Sequence, residues 1–129
     1  MLDSAHSAGF DVFAKNCPSR EVFAHVTGRW GALVMGRLSD RPQRFSDIRR
    51  AVEGISDRML TQTLRELVDD GLVIRTSAGT NPPHTEYHLT TPGARISTAV
   101  IGLAETVESA MSTLAAGGSP GSRETRPER

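Results

Sequence analysis

A mainly α-helical domain with one small β-hairpin is the fold that this sequence predicts, and three observations predict it. Apolar residues recur at helical spacing in short runs between residues 18 and 70. Glycine, proline and capping residues punctuate those runs at close intervals. Two segments near residues 72–89 bracket a turn-rich loop, Ala78 to Pro83, and read as a hairpin. At 129 residues the chain fits a single domain with loose ends. The expected division is a flexible N-terminal arm over 1–14, a domain over 15–116 and a disordered tail over 117–129. That tail, GGSPGSRETRPER, offers nothing to bury.

Each element has its own local reason. Pro18 suits the first turn of a helix, where a missing N–H costs nothing. A helix from there to Thr27 aligns Val22, Phe23 and Val26, and Gly28 ends it. A second helix from Trp30 to about Leu38 turns Leu33, Val34 and Leu38 inward, and Asp40-Arg41-Pro42 closes it. Ser46 is the expected N-cap of a short helix carrying Ile48, Ala51 and Val52, which Gly54 breaks. Ser56 caps a longer helix, with Asp57 in its first turn, that runs to about Asp70 and stops at Gly71. Leu72-Val73-Ile74 opens a strand; Thr85 to Leu89 returns, with Thr85, Tyr87 and Leu89 on one face. Thr91 is expected to cap the last helix, with Pro92 at its first position. Short helix, tight turn and longer helix make a helix-turn-helix. With a hairpin directly after it, the arrangement is a winged helix-turn-helix.

The last helix carries Ile96, Val100, Leu103, Val107, Ala110 and Leu114, alternating steps of four and three residues. That is the spacing of a helix–helix seam. Ala99, Ala104 and Met111 widen the stripe. A helix this long overruns a small domain, so the fold is expected to dimerise through its terminal helices. The expected interface is Val22, Phe23, Val26, Ile96, Val100, Leu103, Val107, Met111 and Leu114. Packing within one chain is the alternative.

Formal net charge is zero, yet charge is unevenly spread. Residues 41–65 hold six arginines against three carboxylates, and Lys15 is the only lysine. Arginine suits bidentate contacts to phosphate or guanine. On the helix over 56–70, Leu60, Leu64, Leu67 and Val68 share one side, while Arg58, Thr61, Gln62 and Arg65 lie opposite or beside it. An inner apolar stripe and an outer row of donors are what a major-groove helix requires. An ordinary surface helix has a similar face; the order of elements around it favours DNA. Ser46, Arg49 and Ser56 join the candidate DNA contacts. Arg75, Asn81 and His84 are the candidates on the hairpin.

Other classes fare worse. His25, His84, His88, Asp40, Asp69 and Asp70 are the residues an enzyme would draw on, but they form no acid–base–nucleophile order and no metal spacing. No phosphate-cradling glycine loop is present, so no catalytic residue, metal or cofactor is expected. No run is long enough to span a membrane. Met1 to Ala14 lacks the apolar core of an export signal. One cysteine, Cys17, excludes an internal disulfide and fits a reducing compartment, so a cytoplasmic location is expected.

Several segments, taken in order, carry a family likeness. They are Cys17-Pro18, the GRW of 28–30, RFSDIRR over 44–50, GISDRMLTQTLRELVDDGLVIR over 54–75 and NPPHTEYHLTTPG over 81–93. The set resembles the HxlR-type branch of bacterial winged-helix regulators, relatives of the MarR group, over about residues 17–114. The resemblance implies a homodimeric, DNA-binding transcription regulator, a repressor before an activator, acting on a palindromic operator of double-stranded DNA. Its reading helix would be 56–70 and its wing about 75–87. One place departs from the pattern: where relatives carry a basic residue after the paired prolines, this chain has His84.

Cys17 stands before a helix start, where unpaired N–H groups and the helix dipole favour a thiolate, with Lys15 and Arg20 near in sequence. The resemblance implies that a cysteine at this place senses oxidants, electrophiles or quinones. Its only disulfides would be with its own copy in a second subunit or with a small thiol. A semi-buried packing cysteine is the alternative. Two further readings of the whole stay open. One is a regulator gated by a small molecule in a groove lined by Phe23, Trp30 and Met35. The other is a winged helix that binds protein, which the neutral charge allows.

Overall fold

Residues 9–117 are described by the computed structural model. Their elements in chain order are α1 (Pro18–Thr27), α2 (Gly31–Arg37), α3 (Phe45–Ala51), α4 (Asp57–Asp69), β1 (Val73–Ala78), β2 (His84–Leu89) and α5 (Thr91–Gly117). Apart from Gly117, the tail expected over 117–129 lies outside the described residues, as do residues 1–8 of the arm. Residues 9–14 of that arm form turns fastened to Cys17.

The punctuation works as the residue types dictate. Ser56 caps α4, its Oγ accepting the Met59 N–H at 3.0 Å. The two glycine stops, Gly54 and Gly71, have φ of +92° and +82°, a region that side chains with a Cβ rarely enter. Gly71 and Leu72 then donate back to the carbonyls of Val68 and Leu67, which closes the end of α4. β1 and β2 pair antiparallel with Val73 opposite Leu89 and Ala78 opposite His84. Gln43 adds an isolated bridge to Tyr87, with N–H···O bonds of 3.0 and 2.8 Å in both directions. The hairpin thus has a one-residue third strand from the segment before α3.

One core unites the helices and the root of the hairpin. Val34, Met35, Ile48, Leu60, Leu64, Leu67 and Val73 are fully enclosed, and Tyr87, Leu89, Ile96 and Val100 pack around them. Ser97 is buried as well, and its hydroxyl donates to the Met35 carbonyl at 3.0 Å, pinning α5 to α2. A buried hydroxyl needs such a partner.

Four expectations are corrected. The cap of α3 is Arg44, not Ser46: the Gln43–Tyr87 bridge ends just before it, and Asp47 at the third helical position accepts the Arg44 N–H at 3.4 Å. The cap of α5 is Thr90, not Thr91. The Thr90 hydroxyl accepts from the Gly93 N–H at 3.0 Å and donates to the Gly71 carbonyl at 2.8 Å, so the earlier threonine also ties the helix to the end of α4. Leu33 faces outward at 52% exposure, because Val34 and Met35 take the inward face of the short α2. Val26, expected at a subunit interface, is 7% exposed and belongs to the core.

Candidate nucleic-acid interface

The outer face of α4 gathers the predicted reading residues. Arg58, Thr61, Gln62 and Arg65 are exposed and line one shallow hollow together with Asp57. Beneath them Leu60, Leu64 and Leu67 are buried, and Thr63 joins them at 7% exposure. Gln62 Nε2 donates one bond along the helix to Glu66 Oε2 at 3.3 Å. Arg49 Nε donates to Asp57 Oδ1 at 2.9 Å, which brings the end of α3 to the start of α4. Both partners are exposed, so the pair adds little stability; its effect is to hold Arg49 beside the reading helix. Ser46 is exposed in the first turn of α3.

The three hairpin candidates separate. Asn81 is exposed at the tip. Arg75 is not at the tip: it sits opposite Tyr87 and shares a hollow with Arg65, Asp69 and Thr61, between α4 and the hairpin root. His84 opens β2 and is half-buried. Its Nδ1 lies 3.0 Å from Arg44 Nη2 and its Nε2 lies 2.9 Å from Glu86 Oε2. No local period marks the Arg44–His84 pair, because its members lie forty residues apart.

Behind the reading helix stands a second cross-link that sequence reading does not find. His25 on α1 meets Asp70, the C-cap of α4, at 2.7 Å between Nδ1 and Oδ2. The hydrogen bond to Asp70 raises the His25 pKa above its ordinary value; burial opposes this, and the charges of Asp70, Glu66 and Glu21 reinforce it. The contact thus favours the charged ring more than the surroundings of a free histidine do. The pair fixes the C-terminal end of α4 to the helix that begins at Cys17.

A helix-turn-helix with an arginine-bearing outer face and an adjoining hairpin is the geometry that comparison with known proteins tests. The HxlR-like helix-turn-helix family matches residues 25–114. The chain belongs to that family. HxlR-like proteins are DNA-binding transcription regulators and not enzymes, and this chain is a transcription regulator of that type. It is 46% identical over 98 residues to YtfH of Escherichia coli (strain K12), named an uncharacterized HTH-type transcriptional regulator, covering 76% of this chain and 78% of the relative. The solved ytfH protein of Salmonella typhimurium, named for transcriptional regulation, superposes with a TM-score of 0.74 at 45% identity. That match covers 83% of this chain and 96% of the other. The redox regulator HypR in its oxidized form superposes with a TM-score of 0.65 at 35% identity, over 72% of this chain and 96% of the other.

Cys17 has a defined setting in this HxlR-like chain. It occupies the N-cap position of α1, and its Sγ accepts the Asp11 N–H at 3.2 Å and lies 3.2 Å from Ser19 Oγ. These contacts lower the thiol pKa, the Ser19 hydroxyl most, then the backbone N–H groups of Asp11 and Ser19; desolvation and then the Asp11 carboxylate oppose them. Arg20, expected to help, instead points its guanidinium at the Phe13 carbonyl at 3.4 Å.

A second surface of the domain is apolar. A groove of about 600 Å³ runs between α1 and α5, with Phe10, Val22, Phe23, Ile96, Val100 and Leu103 among its walls. Trp30 and Met35, expected to line such a groove, do not: Met35 is fully enclosed in the core, and Trp30 lies in a separate hollow beside His25. Past the groove, α5 carries Leu103, Val107, Met111 and Leu114 at 51–61% exposure. Among the described residues, no helix is long and apolar enough to cross a membrane.

Proposed function

We propose that the chain is a homodimeric repressor that binds a palindromic operator in duplex DNA and is switched through Cys17. The observation that carries the reading is the contiguous exposed surface of Arg58, Thr61, Gln62 and Arg65 on a capped helix beside a hairpin. Arginine offers bidentate donors to guanine, glutamine reads adenine, and threonine reaches phosphate or a thymine methyl. Ser46, Arg49, Ser56 and Arg75 flank the surface as backbone contacts, and Asn81 reaches for the neighbouring groove. A second copy covers the groove and the α5 stripe, with Val22, Phe23, Ile96, Val100, Leu103, Val107, Met111 and Leu114 at the seam. Two-fold symmetry sets two reading helices about one DNA turn apart, hence a palindrome. The protein works where the chromosome is, in the cytoplasm.

The switch reading rests on the lowered Cys17 thiol pKa and on the likeness to a redox regulator. The thiolate attacks an oxidant or an electrophile such as a quinone. Oxidation joins Cys17 to its copy in the second subunit or to a small thiol, and the change beside the seam alters the spacing of the reading helices. The test is binding to the DNA upstream of the protein's own gene, across a salt series, with and without diamide. Salt-steep binding that diamide weakens in the native protein and not in Cys17→Ser is the expected result. Weakening that persists in Cys17→Ser removes the switch. A flat salt response removes phosphate contacts and favours a protein-binding module. The groove favours a second reading, in which an apolar small molecule there releases DNA without any thiol chemistry.

A further inference from the structure

We infer that Arg44, presented by His84 and Glu86, is the backbone-phosphate contact at the junction of α3 and the wing. The inference rests on the DNA-binding reading and assigns the wing's charge to a different residue from the one the sequence pattern suggests. A guanidinium only donates hydrogen bonds, and an ionised carboxylate only accepts them. The ring that stands between them must therefore accept at Nδ1, from Arg44 Nη2 at 3.0 Å, and donate at Nε2, to Glu86 Oε2 at 2.9 Å. One neutral tautomer satisfies both bonds. With both nitrogens engaged, His84 has nothing left to offer a phosphate. It acts as a bracket for the cation next to it.

Arg44 is fixed at both ends. Its preceding residue, Gln43, is bonded to Tyr87 in both directions, and the Gln43 side chain donates to the Arg37 and Arg41 carbonyls. The guanidinium at the far end rests on His84. The residue remains exposed, and of its five N–H donors His84 takes one. The nearby carboxylates already have partners: Asp47 Oδ1 accepts from Arg50 at 2.6 Å, and Glu86 accepts from His84. A guanidinium that is held in place, exposed and still rich in donors loses little freedom on meeting a phosphodiester. It lies on the edge shared by the first turn of α3 and the start of β2, beside the exposed Ser46.

The test uses the whole protein and two duplexes, the upstream region of its own gene and a random-sequence duplex of equal length. Arg44→Gln keeps a donor for His84 and removes the charge. It is expected to weaken binding to both duplexes by the same factor and to reduce the salt slope by about one. His84→Ala is expected to weaken binding in the native background and to add nothing in the Arg44→Gln background. His84→Asn, which offers an amide oxygen on the Arg44 side, is expected to recover most of the loss. A salt slope that Arg44→Gln leaves unchanged, in a protein that binds both duplexes, overturns this inference alone. So does a His84→Ala loss that adds in full to that of Arg44→Gln. A native protein that holds neither duplex overturns the DNA reading itself and this inference with it.

Discussion

The α4 face and the α1–α5 face are both exposed, and they differ in what water does to them. On α4 the outward side chains are Arg58, Thr61, Gln62 and Arg65, each able to hydrogen-bond to solvent while it waits for a ligand. On the other side Phe23, Leu103, Val107, Met111 and Leu114 stand at 51–61% exposure. Apolar surface in water is unfavourable by about 25 cal/mol per Å². A polar face is stable unpartnered; a continuous apolar stripe on a helix that has outrun its own domain is not. On physical grounds the first face suits reversible contact and the second suits lasting cover. The side-chain cross-links follow the same division. Arg49–Asp57, Arg44–His84–Glu86 and His25–Asp70 all lie around the reading helix and the hairpin. The second half of α5 has none among the described residues.

The largest expected effect comes from making the apolar face polar. Leu103→Glu with Met111→Glu places two like charges on exposed sites, where the fold tolerates them. Sedimentation is expected to show a monomer, and operator affinity is expected to fall by about 10²-fold or more, since the second reading helix is no longer tethered to the first. A dimer that survives this change breaks the comparison.

A smaller effect tests the cross-links on the polar side. The folded-state pKa of His25 is raised above its unfolded value, so its contribution is complete below about 6.5, the ordinary histidine value, and is lost as pH rises through the folded pKa. Native protein is therefore expected to melt at progressively lower temperature, relative to Asp70→Asn, as the pH is raised across that window. The gap at the acidic end should be on the order of 1.5–3 kcal/mol, the range of a hydrogen bond to a charged group. A gap that stays constant with pH would leave the pair without its charge. Smallest is the helix cap: Ser56→Ala is expected to cost about 1 kcal/mol in chemical denaturation, with operator affinity changed little beyond that. A loss of affinity far larger than the loss of stability would make the Ser56 hydroxyl a direct DNA contact.

What was legible in the sequence is what is local. The leucines of α4, the stops at Gly54 and Gly71, the Ser56 cap and the hairpin all follow from spacing or from one residue's chemistry. The outer row Arg58, Thr61, Gln62 and Arg65 was legible for the same reason. The errors are tertiary. Ser46 is a better cap than Arg44 by type, but the Gln43–Tyr87 bridge decides where α3 starts. Val26 and Leu33 exchange their expected sides because the crossing of α1 and α2 sets which face is inner. The Arg44–His84 and His25–Asp70 pairs join residues forty or more apart, and nothing periodic announces such a pair. Residues 9–14 look featureless, yet the Asp11 N–H is one of the groups that tune the Cys17 thiol.

The length of α5 has a mechanical consequence. Its 27 residues, at ~1.5 Å each, make a rod of ~40 Å. Ser97 rivets one end of that rod to α2 through the Met35 carbonyl, while the far end is free of the domain. A rotation of about 5° over such a ~40 Å arm displaces its end by ~3.5 Å, close to the ~3.4 Å rise between stacked bases. Were that free end the pivot of a dimer, a tilt too small to disturb the core would shift the domain at the other end by about one step of the double helix. Gain of this kind needs no hinge within the domain, only a rod held firmly at one end.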